Sequence, residues 1–228
     1  MPGEDGTLLI PAGPVAQLEG ALAIPPGARG LVLFAHGSGS SRKSARNRFV
    51  AQALRERGLG TLLFDLLTAG EQVVDAMDAQ LRFDIPLLAE RLGRVTDWAR
   101  SREFAAGLRM GYFGASTGAA AALLAASERP GDIGAIVSRG GRPDLAGAAL
   151  TRVRAPTLLI VGGDDTPVLE LNRQSLPHLA GEKKLMIVPG ATHLFEEPGA
   201  LEQVARHAGD WFVRHLSAAS RAEAAAPP

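Results

Sequence analysis

Three residue types that together perform acyl transfer stand in the order Ser, Asp, His, each just past a short apolar run. Gly114-Ala115-Ser116-Thr117-Gly118 joins the run Met110-Gly111-Tyr112-Phe113 to an alanine-rich stretch, 116–127. A Gly-x-Ser-x-Gly turn between a strand and a helix holds its serine in a strained backbone conformation with the hydroxyl above the sheet. Glycine two residues before and after removes side chains that would collide with strand and helix. The helix N-terminus adds unpaired N–H groups, so the Thr117 N–H is a natural donor to a developing oxyanion. A serine hydroxyl is a poor nucleophile at neutral pH and needs a base and an acid that orients it. Asp164 and Asp165 follow the run 157–161, and His193 follows the run 184–188 within Gly190-Ala191-Thr192-His193. Either aspartate could equally serve the turn, since Asp bonds its own backbone there.

Other residues gather at the same end of the expected strands. His36-Gly37-Ser38-Gly39-Ser40 follows the run 31–35, where the backbone N–H of Ser38 or Gly39 could act as a second oxyanion donor. His36 shapes that loop or meets the substrate, whereas His178, His207 and His215 lie on or beside expected helices. Arg139 and Arg142, after the run 133–137, could bind a carboxylate or phosphate on the substrate, or pair with the acidic segment around Glu71 and Asp78. A competing reading takes residues 37–44 as a phosphate loop, but Arg42 stands where that pattern requires glycine. As a dinucleotide fingerprint the stretch again lacks its third glycine, although Asp65 falls near the place of a ribose-binding acid. A third reading keeps the fold as a non-catalytic binding module.

The runs 31–35, 61–64, 110–113, 133–137, 157–161 and 184–188 predict six parallel strands buried under helices on both faces. Apolar residues at helical spacing in 43–57, 85–100, 116–127, 168–176 and 201–216 predict the crossover helices. Residues 7–10 and 16–24 read as a short antiparallel entry, 143–150 as one short helix, and the acidic connection 66–82 as room for another. The organisation expected is a single α/β domain over 1–216, a mostly parallel central sheet with no large cap domain, and a flexible tail over 217–228.

The composition bounds the partners. The 228 residues carry 24 Lys+Arg against 24 Asp+Glu, which removes the broad attraction that a nucleic-acid or anionic-membrane binder needs. There is no cysteine, hence no disulfide framework and no thiolate nucleophile. The acidic start, broken by Pro and Gly, does not read as a secretory signal, and the apolar runs fall short of the roughly 20 residues that span a bilayer. A soluble, cytoplasmic protein is expected, with a small-molecule ester as partner, no nucleic acid, no membrane, no metal and no organic cofactor.

Taken together, the His-Gly loop at 36–39, the elbow at 114–118, the Gly-x-x-Asp-x-x-Val stretch 162–168 and the Gly190-Ala191-Thr192-His193 run before a last helix resemble an α/β-hydrolase. The chain is most similar within that group to small, lidless dienelactone-hydrolase-like proteins, over nearly its whole length. The resemblance implies Ser116 as nucleophile, His193 as base and Asp165 as the acid. It also implies hydrolysis of an ester, lactone or thioester through an acyl-enzyme. Dienelactone hydrolases proper use cysteine where this chain has Ser116, so their particular substrate does not carry over.

Overall fold

The computed structural model describes residues 7–217. Its eight strands are β1 (Leu8–Pro11), β2 (Gln17–Ala23), β3 (Leu31–Ala35), β4 (Gly60–Phe64), β5 (Met110–Ala115), β6 (Ile133–Arg139), β7 (Thr157–Gly162) and β8 (Lys183–Val188). They form one sheet in the order β1-β2-β4-β3-β5-β6-β7-β8. Strands β3 to β8 pair in parallel, and β1 and β2 add the antiparallel edge. Six helices accompany them: α1 (Ala45–Glu56), α2 (Ala69–Asp78), α3 (Ile85–Arg100), α4 (Thr117–Ser127), α5 (Thr166–Ser175) and α6 (Ala200–Leu216).

Side-chain alternation along the strands divides the core into two layers. Leu31, Leu33 and Ala35 of β3 join Leu62, Tyr112 and Ile136 against Leu88, Leu92 and Val95 of α3 and the alanines of α4. Val32 and Phe34 join Phe113, Val137 and Ile160 against Val50 and Leu54 of α1 and Val204, Ala208 and Phe212 of α6. Because both faces are covered, these strands read as continuous apolar runs and not as alternating ones. Helix α4 is buried almost all round, and its alanines let it lie close to β5 and α3.

Local signals set the helix starts. Thr68 and Glu71 form a reciprocal capping box at α2, and Asp84 accepts from the Leu87 N–H at α3. The expected short helix at 143–150 is instead two 3₁₀ turns over Pro143–Arg152, broken at Gly147, where φ is 52°. A break there leaves too little regular structure for a cap. The expected tail lies, Ser217 apart, outside the described residues. No helix among the described residues is long and apolar enough to cross a membrane.

Candidate active site

The parallel strands deliver their following loops to one edge of the sheet, where open α/β sheets bind ligands. At the centre, Ser116 sits between β5 and α4 with φ 51° and ψ −120°, a region that side chains other than glycine rarely adopt. The turn is locked from three sides. Ser116 N–H donates to the Arg139 carbonyl at 3.2 Å, while its own carbonyl accepts from the N–H groups of Ala119 and Arg142. A Cβ on Gly114 would lie 2.4 Å from Ala119 Cα, and one on Gly118 would lie 2.2 Å from the Ala35 carbonyl oxygen. Both neighbours of the Gly118 position are backbone, so they cannot rotate away. Gly118→Ala is therefore expected to cost more than the usual overpacking penalty of about 1–3 kcal/mol and to yield poorly folded, inactive protein. A variant with wild-type stability in denaturant titration would show that the elbow is not held this tightly.

His193 Nδ1 lies 2.6 Å from Asp165 Oδ2. The aspartate is mostly buried at the start of α5 and makes no side-chain capping bond, which leaves its carboxylate for the imidazole. Asp164 is exposed, and its N–H donates to the Ala191 carbonyl. The imidazole rests against Gly140: a Cβ there would be 3.4 Å from His193 Nδ1. Since Arg139, the preceding residue, holds the Ser116 N–H, the histidine and serine loops meet at one point of β6. Among the described residues no hydrogen bond yet ties the Ser116 hydroxyl to another group. That contact is commonly long in unliganded enzymes and closes with substrate bound.

The loop after β3 packs directly on the elbow, with a Cβ on Gly37 falling 3.1 Å from Ser116 Cβ. The Thr117 N–H, first in α4, has no partner among the described residues. The Ser38 N–H donates to Thr117 Oγ1 at 2.9 Å. Gly39 stands further out, exposed at φ 68°. Beside this loop is a cavity of about 210 Å³ lined by Ser38, Leu66, Leu67, Arg82, Leu88 and Thr117 among others.

The remaining candidates separate. His36 donates from Nδ1 to the Gly37 carbonyl at 3.0 Å and accepts the Leu66 N–H at Nε2 at 3.1 Å, so both ring nitrogens are spent on tying the ends of β3 and β4 together. Burial pushes its pKa below the usual histidine value of 6.5, against smaller opposing effects of Gly37 and Asp65. The folded protein thus resists a proton that the unfolded chain accepts. Stability from this source is intact above about pH 7 and falls as pH drops below about 6.5. In melting experiments from about pH 7 to 5, His36→Gln should show a shallower loss of Tm than the wild type; parallel curves would exclude His36 as the cause.

Arg142 is a poor candidate for substrate binding, because Nε and Nη2 already grip the Asp144 carboxylate, the latter at 2.7 Å. Neither arginine pairs with the acidic segment: Glu71 is held by Arg91, and Asp75 by Arg82. Arg139 is 7% exposed, and its Nε and Nη1 are buried without a hydrogen-bond partner. Burial, with the nearby Arg46 charge, pushes its pKa down to about 10, so it remains charged at neutral pH.

In the phosphate-loop-like stretch, Arg42 binds Asp65 and Glu19, each at 2.5 Å. Asp65, the candidate ribose acid, is thereby buried in an ion pair. Three residues not singled out from the sequence also build the site. Asn172 is fully buried and donates to the Gly141 carbonyl at 2.9 Å, fastening the loop after β6. Glu197 accepts from the Thr192 N–H and hydroxyl, closing the histidine loop on itself. Phe195 takes a left-handed φ of 56° and turns its ring inward. None belongs to a motif, and only the positive φ at a buried phenylalanine marks the loop as constrained.

The sheet order, the strained serine and the three converging loops define the α/β-hydrolase architecture. A dienelactone hydrolase from Anabaena variabilis has a crystal structure that matches with a TM-score of 0.89 and 54% identity, covering 93% of this chain and 99% of that one. The chain belongs to the dienelactone-hydrolase-like group of the α/β-hydrolase superfamily. Est1E from Butyrivibrio proteoclasticus shares the fold at 17% identity, with a TM-score of 0.77 over 92% of this chain and 99% of its own. Two Mycobacterium tuberculosis proteins provisionally named phosphoribosyl transferases are 55% identical over 215 residues, which is 94% of this chain and 47% of each of them. The chain thus spans about half the length of the curated relatives it matches. No family model matches it.

Proposed function

We propose that the protein is a serine hydrolase that cleaves a carboxylic ester, lactone or thioester through an acyl-enzyme. The reading is carried by one observation: the Asp165–His193 pair and the strained Ser116 converge at β6, each from a separate strand end. In this reading His193 Nε2 takes the Ser116 hydroxyl proton as Oγ bonds to the carbonyl carbon. Asp165, on Nδ1, fixes the tautomer that leaves Nε2 free and stabilises the imidazolium formed. The tetrahedral oxyanion is received by the Thr117 N–H and by the Ser38 N–H, which turns to it from Thr117 Oγ1. Collapse of the intermediate breaks the bond to the leaving oxygen or sulfur, which takes the proton from His193. Water then repeats the sequence: it loses a proton to His193, attacks the acyl carbon, and the acid departs as the proton returns to Ser116 Oγ.

The nucleophile, base, acid and oxyanion donors of this cycle all belong to the chain, and the cavity beside Ser38, lined by Leu66, Leu67 and Leu88 and also by Asp75 and Arg82, gives the acyl or alcohol portion a seat of mixed polarity. The phosphoribosyl transferase name belongs to longer proteins, and the geometry around Ser116 favours acyl transfer. The test is labelling with a fluorophosphonate and peptide mapping, run beside hydrolysis of a short-chain chromogenic ester. Modification of Ser116 alone, with loss of turnover in proportion to labelling, is the expected result. Folded protein that stays unlabelled and hydrolyses no ester would reject it.

A further inference from the structure

Helix α1 and its flanks are strongly basic in a chain with equal numbers of acids and bases: residues 42–57 hold six Lys and Arg and a single acid, Glu56. Four of these cations, Arg42, Lys43, Arg48 and Arg55, line a groove of about 670 Å³ between α1 and strand β2. Ser116, Asp165 and His193 are not among its lining residues. Its floor is the sheet. Ala21 pairs with Leu63 and Ala23 with Thr61 in the antiparallel ladder, so these four residues share the face on which α1 packs. The apolar layer beneath α1 stops at Leu63 of β4, whereas on the opposite face Ile10 of β1 and Leu18 of β2 lie in the layer that α3 covers. Small alanines on this uncovered part of the sheet leave the trough open.

Arg42 is matched within the fold by Asp65 and Glu19, and Arg55 donates to the Thr61 hydroxyl at 3.4 Å. Lys43 and Arg48 are exposed and have no acid partner among the described residues, and none of the described residues that line the groove is an acid. Phe49 lies beside Arg48 on the same flank of α1 and is 41% exposed. Like charges gathered around one trough focus a positive potential there, and an oxyanion that accepts from both side chains relieves their repulsion. An exposed aromatic ring next to them offers a face on which a planar ring can stack. The volume suits such a ligand: it falls within the range of about 300–1,000 Å³ for small-molecule sites. At about 30 Å³ for each water-sized group it holds about twenty non-hydrogen atoms, the size of a nucleoside monophosphate.

We propose that this groove is a second binding site, separate from the Ser116 cleft, for a nucleoside phosphate. Lys43 and Arg48 hold the phosphate, Phe49 stacks on the base, and the sugar lies over Ala21 and Ala23. The site goes beyond the hydrolase reading and does not depend on it. The stretch 37–44 that resembles a phosphate loop contributes Arg42 and Lys43 as side chains, and no glycine-rich backbone cradle is involved.

The experiment is calorimetric titration of the full chain with adenosine 5′-monophosphate, with adenosine and with inorganic phosphate, at about 0.15 M salt so that diffuse attraction is screened. The nucleotide should bind at least about tenfold more tightly than either fragment. Arg48→Ala should weaken it by about 10- to 100-fold, the range for a lost charge-assisted hydrogen bond. Phe49→Ala should weaken the nucleotide by about tenfold and leave the affinity for inorganic phosphate unchanged. Both side chains are exposed, so both variants should fold. Arg94→Ala, which removes an exposed arginine paired with Glu90 on α3, is the control and should bind as the wild type does. In NMR spectra the nucleotide should shift the amides of Ala21, Ala23 and Leu63 and leave those of residues 114–118 in place. Nucleotide binding no tighter than that of phosphate, an Arg48→Ala variant that matches Arg94→Ala, or shifts confined to residues 114–118 would overturn the proposal. So would binding of a polyglutamate peptide without binding of the nucleotide, which would assign the groove to an acidic protein.

Discussion

Ester hydrolysis by Ser116→Ala should fall by about 10⁶-fold from the wild-type rate, to the residue of catalysis that binding and oxyanion donors give without a nucleophile. The same position should separate activity from stability in opposite directions. Ser116 holds φ 51° and ψ −120° because its neighbours fix the turn, not because serine favours it. Such a conformation costs about 1–3 kcal/mol at a residue with a side chain. Glycine adopts it freely but loses about 0.5–1 kcal/mol more in chain entropy on folding. Ser116→Gly is therefore expected to be inactive and more stable than the wild type by about 1 kcal/mol in urea titration. A less stable Ser116→Gly would mean that the elbow stores no strain at the serine. An active Ser116→Ala would mean that the reaction does not pass through this oxygen.

Asp165→Asn is the second large effect. The amide is nearly isosteric, and Asp165 makes no side-chain bond to the start of α5, so folding should change little. What changes is the partner of Nδ1: the carboxylate only accepts, so it requires a proton on Nδ1 and leaves Nε2 free. An amide can present its NH₂ group to Nδ1, which holds the imidazole in the wrong tautomer and withdraws the charge that stabilises the imidazolium. A loss of about 10⁴-fold in kcat with little change in KM is expected, and fluorophosphonate labelling of Ser116 should slow in parallel. Asp164→Asn, at an exposed turn position without an imidazole contact, should stay within about threefold of wild type, as surface substitutions generally do. If the two variants are equally damaged, the 2.6 Å contact does not orient the base.

Much of the architecture is legible before any coordinates. Strands β3 to β7 announce themselves as apolar runs because each is buried on both faces, edge strand β8 by its apolar run alone although most of it is only partly buried, and helices α1, α3 and α6 by one apolar face at helical spacing. Other segments follow no such rule. Helix α2 turns Asp75 inward to Arg82 and leaves Val73 and Met77 exposed, the reverse of the usual pattern, so hydrophobicity alone does not locate its buried side. The 143–152 stretch has helical residues, but Gly147 adopts a positive φ and divides it. The fate of the arginines is hidden for a different reason. Arg42 and Arg142 lie in loops after strands and Arg139 ends β6, yet one is locked to Asp65 and Glu19, one to Asp144, and Arg139 has no acid partner among the described residues. Arg142 finds its partner two residues away, but the pairing of Arg42 depends on which side chains other strands bring within a few ångströms, a distance that sequence separation does not encode.

The sequence by itself determined the order and type of the candidate catalytic groups, because a serine between glycines, and an acid and a histidine after later strands, are local features tied to strand ends. It determined the helix-sheet-helix layering for the same reason, since burial on both faces must be written into each central strand. Only the tertiary structure decided that Asp165 and not Asp164 meets His193, that His36 and Arg142 are already satisfied, and that Arg139 is not. The first two of those outcomes rest on contacts between residues as far apart as Asp165 and His193 or His36 and Leu66, made where a twisted sheet gathers its loops.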